Sequence, residues 1–126
     1  MTKLFNGPKN SITDIDGFLI GNAQDDHIKS GVTVLTRSTS FRASVSILGG
    51  APGTKETDLL SPDKIVENID GIVLAGGSAF GLDAASGVMD CLRGQNRGFD
   101  TGGGIKVPIV PSAILLILKW RFKNGT

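Results

Sequence analysis

One histidine and one cysteine among 126 residues exclude a good deal of chemistry. A lone Cys91 rules out an internal disulfide framework and points to a reducing compartment. One His with one Cys cannot make a zinc site. His27 stands in the polar stretch Gln24-Asp25-Asp26-His27, which reads as a solvated loop. A serine triad would need it as a base with a carboxylate partner. An excess of one charge is missing as well: Lys plus Arg is 13 and Asp plus Glu is 12. Nucleic-acid binding wants a clustered excess of base. Residues 1–8 lack the apolar stretch of a signal peptide. The longest apolar run, 113–118, is far short of the ~20 residues of a membrane helix. The expectation is a cytoplasmic protein with neither nucleic acid nor membrane as a partner.

Glycine, by contrast, is abundant: 18 of 126 residues, against a usual ~7%. Most of the glycines lie in clusters between apolar runs, where a positive φ or a close backbone approach is needed. Two of these turns carry most of the information. One is Gly49-Gly50-Ala51-Pro52-Gly53-Thr54-Lys55-Glu56-Thr57-Asp58-Leu59-Leu60. The other is Ala75-Gly76-Gly77-Ser78-Ala79-Phe80-Gly81-Leu82-Asp83-Ala84-Ala85.

Periodicity predicts strands at 18–20, 31–36 and, by alternation, 43–47. Ser61-Pro62-Asp63 reads as a helix start, for a short helix over 62–69. Ile72-Val73-Leu74-Ala75 is continuously apolar, the pattern of a strand covered on both faces. A helix is expected over 79–92. Leu82, Ala85, Met89 and Leu92 form one apolar row on it, and Phe80, Ala84, Val88 and Cys91 a second. So wide a stripe implies packing under more than one neighbour, with Cys91 as inert core. Gly87 in mid-helix implies close packing there. Residues 105–118, broken by Pro108 and Pro111, read as one or two edge strands. The fold class is α/β, a layered sandwich rather than a pure doubly wound sheet.

Several known motifs are approached and missed. Gly50-Ala51-Pro52-Gly53-Thr54-Lys55 imitates a phosphate loop but has Thr54 where Gly should precede the lysine and Glu56 where Ser or Thr should follow it. Gly76-Gly77-Ser78-Ala79-Phe80 sits where a nucleophile elbow would, with Phe80 where that turn needs glycine. Ser78 is then expected to cap the helix, with the turn's amides free for an anion or a polarised carbonyl. Gly102-Gly103-Gly104 lacks dinucleotide spacing and precedes a strand. Asp14-Ile15-Asp16-Gly17 is no calcium loop, because Phe18, Leu19 and Ile20 fill the later ligand positions. The basic, aromatic Lys119-Trp120-Arg121-Phe122-Lys123 is too short to assign a partner.

Taken together, the two turns resemble the L-aminopeptidase/D-esterase, or DmpA-type, peptidase family. Ile12-Thr13-Asp14 with Gly17 and Gly21 is similar to the family's opening strand. The blocks 49–60, 71–89 and 98–112 are similar to those that come after it. The resemblance covers roughly residues 11–115 of a single partial domain, 1–126, with a divergent tail at 116–126. It implies an N-terminal-nucleophile-like fold, with sheets sandwiched between helix layers. It also implies self-cleavage before a Ser or Thr, which becomes the nucleophile that releases N-terminal residues from peptides, amides or esters through an acyl-enzyme. A free α-amine, of pKa ~7.7–8, can serve such a nucleophile as base, so no metal or organic cofactor is expected.

No residue here matches the family's nucleophile, so no catalytic residue is assigned. The abrupt end at Asn124-Gly125-Thr126 reads as a truncated or frameshifted frame. The chain is therefore expected to be inactive alone, prone to self-association, or completed by a downstream fragment. Gly76, Gly77, Ser78 and Ala79 are expected to line the pocket for a small peptide or amide substrate. A small-anion or peptide binding module using residues 76–79 is the alternative.

Overall fold

The computed structural model describes residues 5–116. The chain opens with a turn, Ile12–Asp14, capped at both ends of its hydrogen-bond register. The Ser11 hydroxyl accepts from the Thr13 N–H, and the Asp14 carboxylate accepts from the amides of Lys9 and Ser11. The segment expected to open a strand is therefore a capped turn, and Asp14 is occupied by backbone donors.

Strand β1 (Phe18–Asp25) and strand β2 (Ser30–Phe41) form a long hairpin. Its tip bends at Lys29, whose φ is 54°, and the Asp25 carboxylate accepts from the amides of His27 and Ile28. After β2 come β3 (Thr54–Lys55) and β4 (Ile69–Ala75), then helix α1 (Asp83–Gly94). The short strands β5 (Phe99–Asp100), β6 (Lys106–Val107) and β7 (Ser112–Ile114) complete the described chain. The main sheet has five strands in the order β1-β2-β4-β7-β3, and β5 and β6 form a separate ribbon. All neighbours in the main sheet are antiparallel except β4 and β7. A parallel pair needs a long crossover, and α1 supplies it.

Residues that pair directly across this sheet share a face, so the register sorts every side chain. Val32 and Val34 lie opposite Ala75 and Val73, and Ala75 lies beside Ile114. These pack beneath Ala85, Val88, Met89 and Leu92 of α1, with Val110 completing the core. The opposite face carries Ile20, Leu35, Ile72, Leu74 and Ala113. This face is less buried: Val73 is 0% exposed, whereas Leu74 is 54% exposed and Ile20, Leu35, Ile72 and Ala113 are half-buried.

Several expectations are corrected. Residues 43–47 form no strand, because β2 ends at Phe41 after a register shift and no described strand pairs with them. Residues 62–69 form no helix: one turn closes from the Lys64 amide to the Ser61 carbonyl, Ile65 is 90% exposed, and Ile69 already belongs to β4. The expected helix over 79–92 begins as a 3-10 turn, Ser78–Leu82, and becomes α-helical only at Asp83. In one apolar row Ala85 and Leu92 are buried and Leu82 and Met89 half-buried, but Phe80 and Cys91 of the other are exposed, so Cys91 is not core. A Cβ at Gly87 would meet open space, not a packed neighbour. Strand β7 lies inside the sheet, not at its edge. The divergent tail lies outside the described residues apart from Leu116, as does the 119–123 stretch.

Candidate functional site

The turn after β4 is shaped by three backbone facts. Gly77 has φ 86° and Ser78 has φ 57°, consecutive left-handed residues that wind the chain back on itself. A side chain at Gly81 would collide with the Gly76 carbonyl, so glycine is required one residue after the position the elbow motif assigns it. The Gly76 amide donates to the Gly31 carbonyl (2.9 Å), and the Ser78 amide donates to the Leu115 carbonyl (3.1 Å). The turn is thus tied to β2 on one side and to the end of β7 on the other.

These bonds change the chemistry expected here. Gly77, not Ser78, is the cap residue of the 3-10 turn, and no side chain caps it. Two of the turn's amides are committed to backbone carbonyls, which reduces what it can offer an anion. Neither the His27 ring nor the Ser78 hydroxyl hydrogen-bonds the other among the described residues. Lys55 stands in β3 rather than on a helix, and its ammonium donates to the Ser86 hydroxyl of α1 (2.9 Å). That is the geometry of a structural tie, not of a phosphate cradle.

Gly76 lines an open cavity of about 650 Å³ at this end of the sheet. The β1–β2 hairpin supplies most of the wall, from Asn22 to Asp26 and from Lys29 to Thr33, with Leu74 and Leu115 across from it. Gly77 and Ser78 are half-buried and Ala79 is exposed, and none of the three reaches this wall. The sequence reading missed that the acidic tip at Asp25-Asp26 is a neighbour of the glycine turn. The proximity comes from the pairing of Gln24 with Gly31, which brings the hairpin tip level with Gly76 and which no local motif records. Asp25 is held ionised below its ordinary value of 3.8 by the Ile28 and His27 amides. A second cavity, of about 390 Å³, lies between residues 42–44 and 59–69, but its cations are paired. Arg42 meets Glu67 at 2.6 Å and Lys64 meets Asp63 at 2.9 Å. The described residues contain no cluster of His, Cys, Asp or Glu fit to hold a metal.

Comparison with known proteins agrees with the glycine turns. A family model described as Peptidase family S58 matches residues 10–119. An uncharacterized aminopeptidase of Mycobacterium leprae is 44% identical over 123 residues, covering 91% of this chain and 34% of the relative. Uncharacterized aminopeptidases of Mycobacterium bovis and Mycobacterium tuberculosis are 44% identical over 117 residues, covering 86% of this chain and 34% of each relative. The chain therefore spans about a third of the length of the curated relatives it matches.

Proposed function

The chain belongs to peptidase family S58, and on that premise we propose that it is the N-terminal portion of a self-cleaving aminopeptidase, without activity by itself. In the whole enzyme a Ser or Thr freed by self-cleavage attacks the carbonyl carbon of the first peptide, amide or ester bond. The amine or alcohol departs with a proton, and water releases the acyl group. A free α-amine is the natural base for that nucleophile. The part of the enzyme represented here supplies scaffold and pocket wall. Gly76 lines the substrate pocket beside the hairpin tip, Gly77, Ser78 and Ala79 form the turn that presents it, and the whole is one partial domain of a layered sandwich.

One observation carries this reading: β4 is apolar on both faces but covered on one. Val73 and Ala75 pack under α1, while on the other face Leu74 is exposed and Ile72 half-buried. A strand of that composition suits a sheet with a layer on each side. Relatives three times as long have the chain to make a second layer. The single Cys91 suits a reducing, cytoplasmic setting. No helix among the described residues is long and apolar enough to cross a membrane.

Purified chain incubated with a panel of amino-acid p-nitroanilides is expected to release no nitroaniline above buffer. Co-expression with the downstream two thirds of a mycobacterial relative should yield a complex that does. Turnover by the 126-residue chain alone would overturn the reading. Failure to form any complex would remove the pairing on which it depends.

A further inference from the structure

Gly7 has no space for a side chain and no bond for its amide, and together these make a reactive position of the residue before it. We propose that Asn6 modifies itself, converting without an enzyme to an aspartyl or isoaspartyl residue through a cyclic imide. The Gly7 backbone nitrogen attacks the Asn6 side-chain carbonyl carbon and closes a five-membered ring. The Cγ–Nδ2 bond breaks, and ammonia leaves with the proton that the Gly7 nitrogen gives up. Water then opens the ring. Attack at the side-chain carbonyl leaves an aspartyl residue, and attack at the main-chain carbonyl leaves the backbone running through the side chain, an isoaspartyl residue.

Asparagine is a thermolabile side chain, and the surroundings decide which one reacts. Asn6 and Gly7 are both exposed and lie in no helix or strand. The Gly7 carbonyl accepts from the Asn10 amide (3.0 Å), but the Gly7 amide donates to nothing among the described residues. Glycine also brings no Cβ to obstruct ring closure. The fold itself enforces that glycine: a Cβ there would strike the Asp14 carboxylate, which holds the amides of Lys9 and Ser11.

The other described asparagines are protected. Asn10 precedes Ser11, whose amide is committed to Asp14 (3.1 Å). Asn22 lies in β1, and its side-chain oxygen accepts from the Thr33 hydroxyl (2.7 Å). Asn68 precedes Ile69, which is β-branched and buried. Asn96 precedes Arg97, whose amide donates to the Leu92 carbonyl (3.0 Å). A second Asn-Gly pair, Asn124-Gly125, lies outside the described residues. Conversion at Asn6 lowers the formal net charge of +1 by one and adds a carboxylate to the residue adjoining Gly7, against which Asp14 already lies. The inference stands apart from the peptidase reading, because it concerns a bond that the chain alone rearranges.

Purified chain held at neutral pH, with and without guanidinium, is sampled over time for tryptic mapping, in which peptide 4–9 carries Asn6 alone. In the folded chain this peptide should exchange its amide for an acid at least about tenfold faster than Asn10, Asn22, Asn68 or Asn96 does, a difference of about 1.4 kcal/mol in barrier. The rate at Asn6 should change by no more than about threefold in guanidinium, since the fold withholds nothing there. An isoaspartyl methyltransferase with labelled methyl donor should mark the product. Asn6→Gln, whose longer side chain closes no five-membered ring, should abolish both signals. An unchanged peptide 4–9, strong protection relative to guanidinium, equal conversion at Asn10 or Asn22, or aspartyl product without isoaspartyl would each overturn the proposal.

Discussion

Val73 and Leu74 are consecutive residues of one strand, similar in character, and their surroundings could hardly differ more. Val73 lies under α1 at 0% exposure, and Leu74 turns 54% of its surface to solvent on the opposite face. Strand geometry imposes the alternation. What sits above each face decides the energetics. The covered face has its crossover helix, a core of branched and small side chains, and the half-buried bond from Lys55 to Ser86. The open face has similar apolar side chains that are only half-buried, and Leu74 among them is exposed. Apolar composition marks a face as fit for burial, and only a neighbouring layer turns that fitness into stability.

The contrast can be broken most forcefully at Leu92, the α1 residue buried over the covered face. Leu92→Ala should cost about 3 kcal/mol in urea unfolding. Leu74→Ala should fall within about 0.5 kcal/mol of the parent. Equal costs would mean that the two faces are equally packed. Gly81→Ala should cost about 2 kcal/mol, since its Cβ meets the Gly76 carbonyl and the backbone must shift.

Ser112 offers a smaller and opposite effect. It lies on the covered face at 2% exposure, and its hydroxyl has no partner among the described residues. Ser112→Ala should be neutral or stabilise by up to about 1 kcal/mol, because the lost hydroxyl made no bond there. The smallest effect belongs to the hairpin tip. Asp25 has its folded pKa depressed by the Ile28 and His27 amides. The order it gives the tip is therefore complete above the unfolded carboxylate value and lost as pH falls through the folded one. NMR titration should show the Asp25 carboxyl and the Ile28 amide moving together below pH 3.8, and Asp25→Asn should abolish the joint movement.

The strands at 31–36 and 72–75 were legible because β-branched and aliphatic runs pair and bury whatever the wider context. β1 was legible only at Phe18-Leu19-Ile20. Its second half, Gly21-Asn22-Ala23-Gln24-Asp25, has little strand propensity and is held by pairing with β2. The reverse holds at 43–47, where the alternation is good but no partner strand exists among the described residues. Ser61-Pro62-Asp63 is a sound helix start, but Ile65 just beyond it finds nothing to pack against. At the candidate site the glycine turn was legible and the acidic tip beside it was not, because that proximity comes from a hairpin register rather than from any local motif. The family was legible in the glycine turns, and at Gly77 and Gly81 the backbone itself requires the residue that marks it.

Hydroxyl-radical footprinting tests the central claim most directly, with side-chain oxidation read at Leu74 and Leu92. In the chain alone, at dilution, Leu74 should oxidise many times faster than Leu92, and adding the downstream part of a relative should protect Leu74. Equal protection of both residues in the isolated monomer would contradict the account.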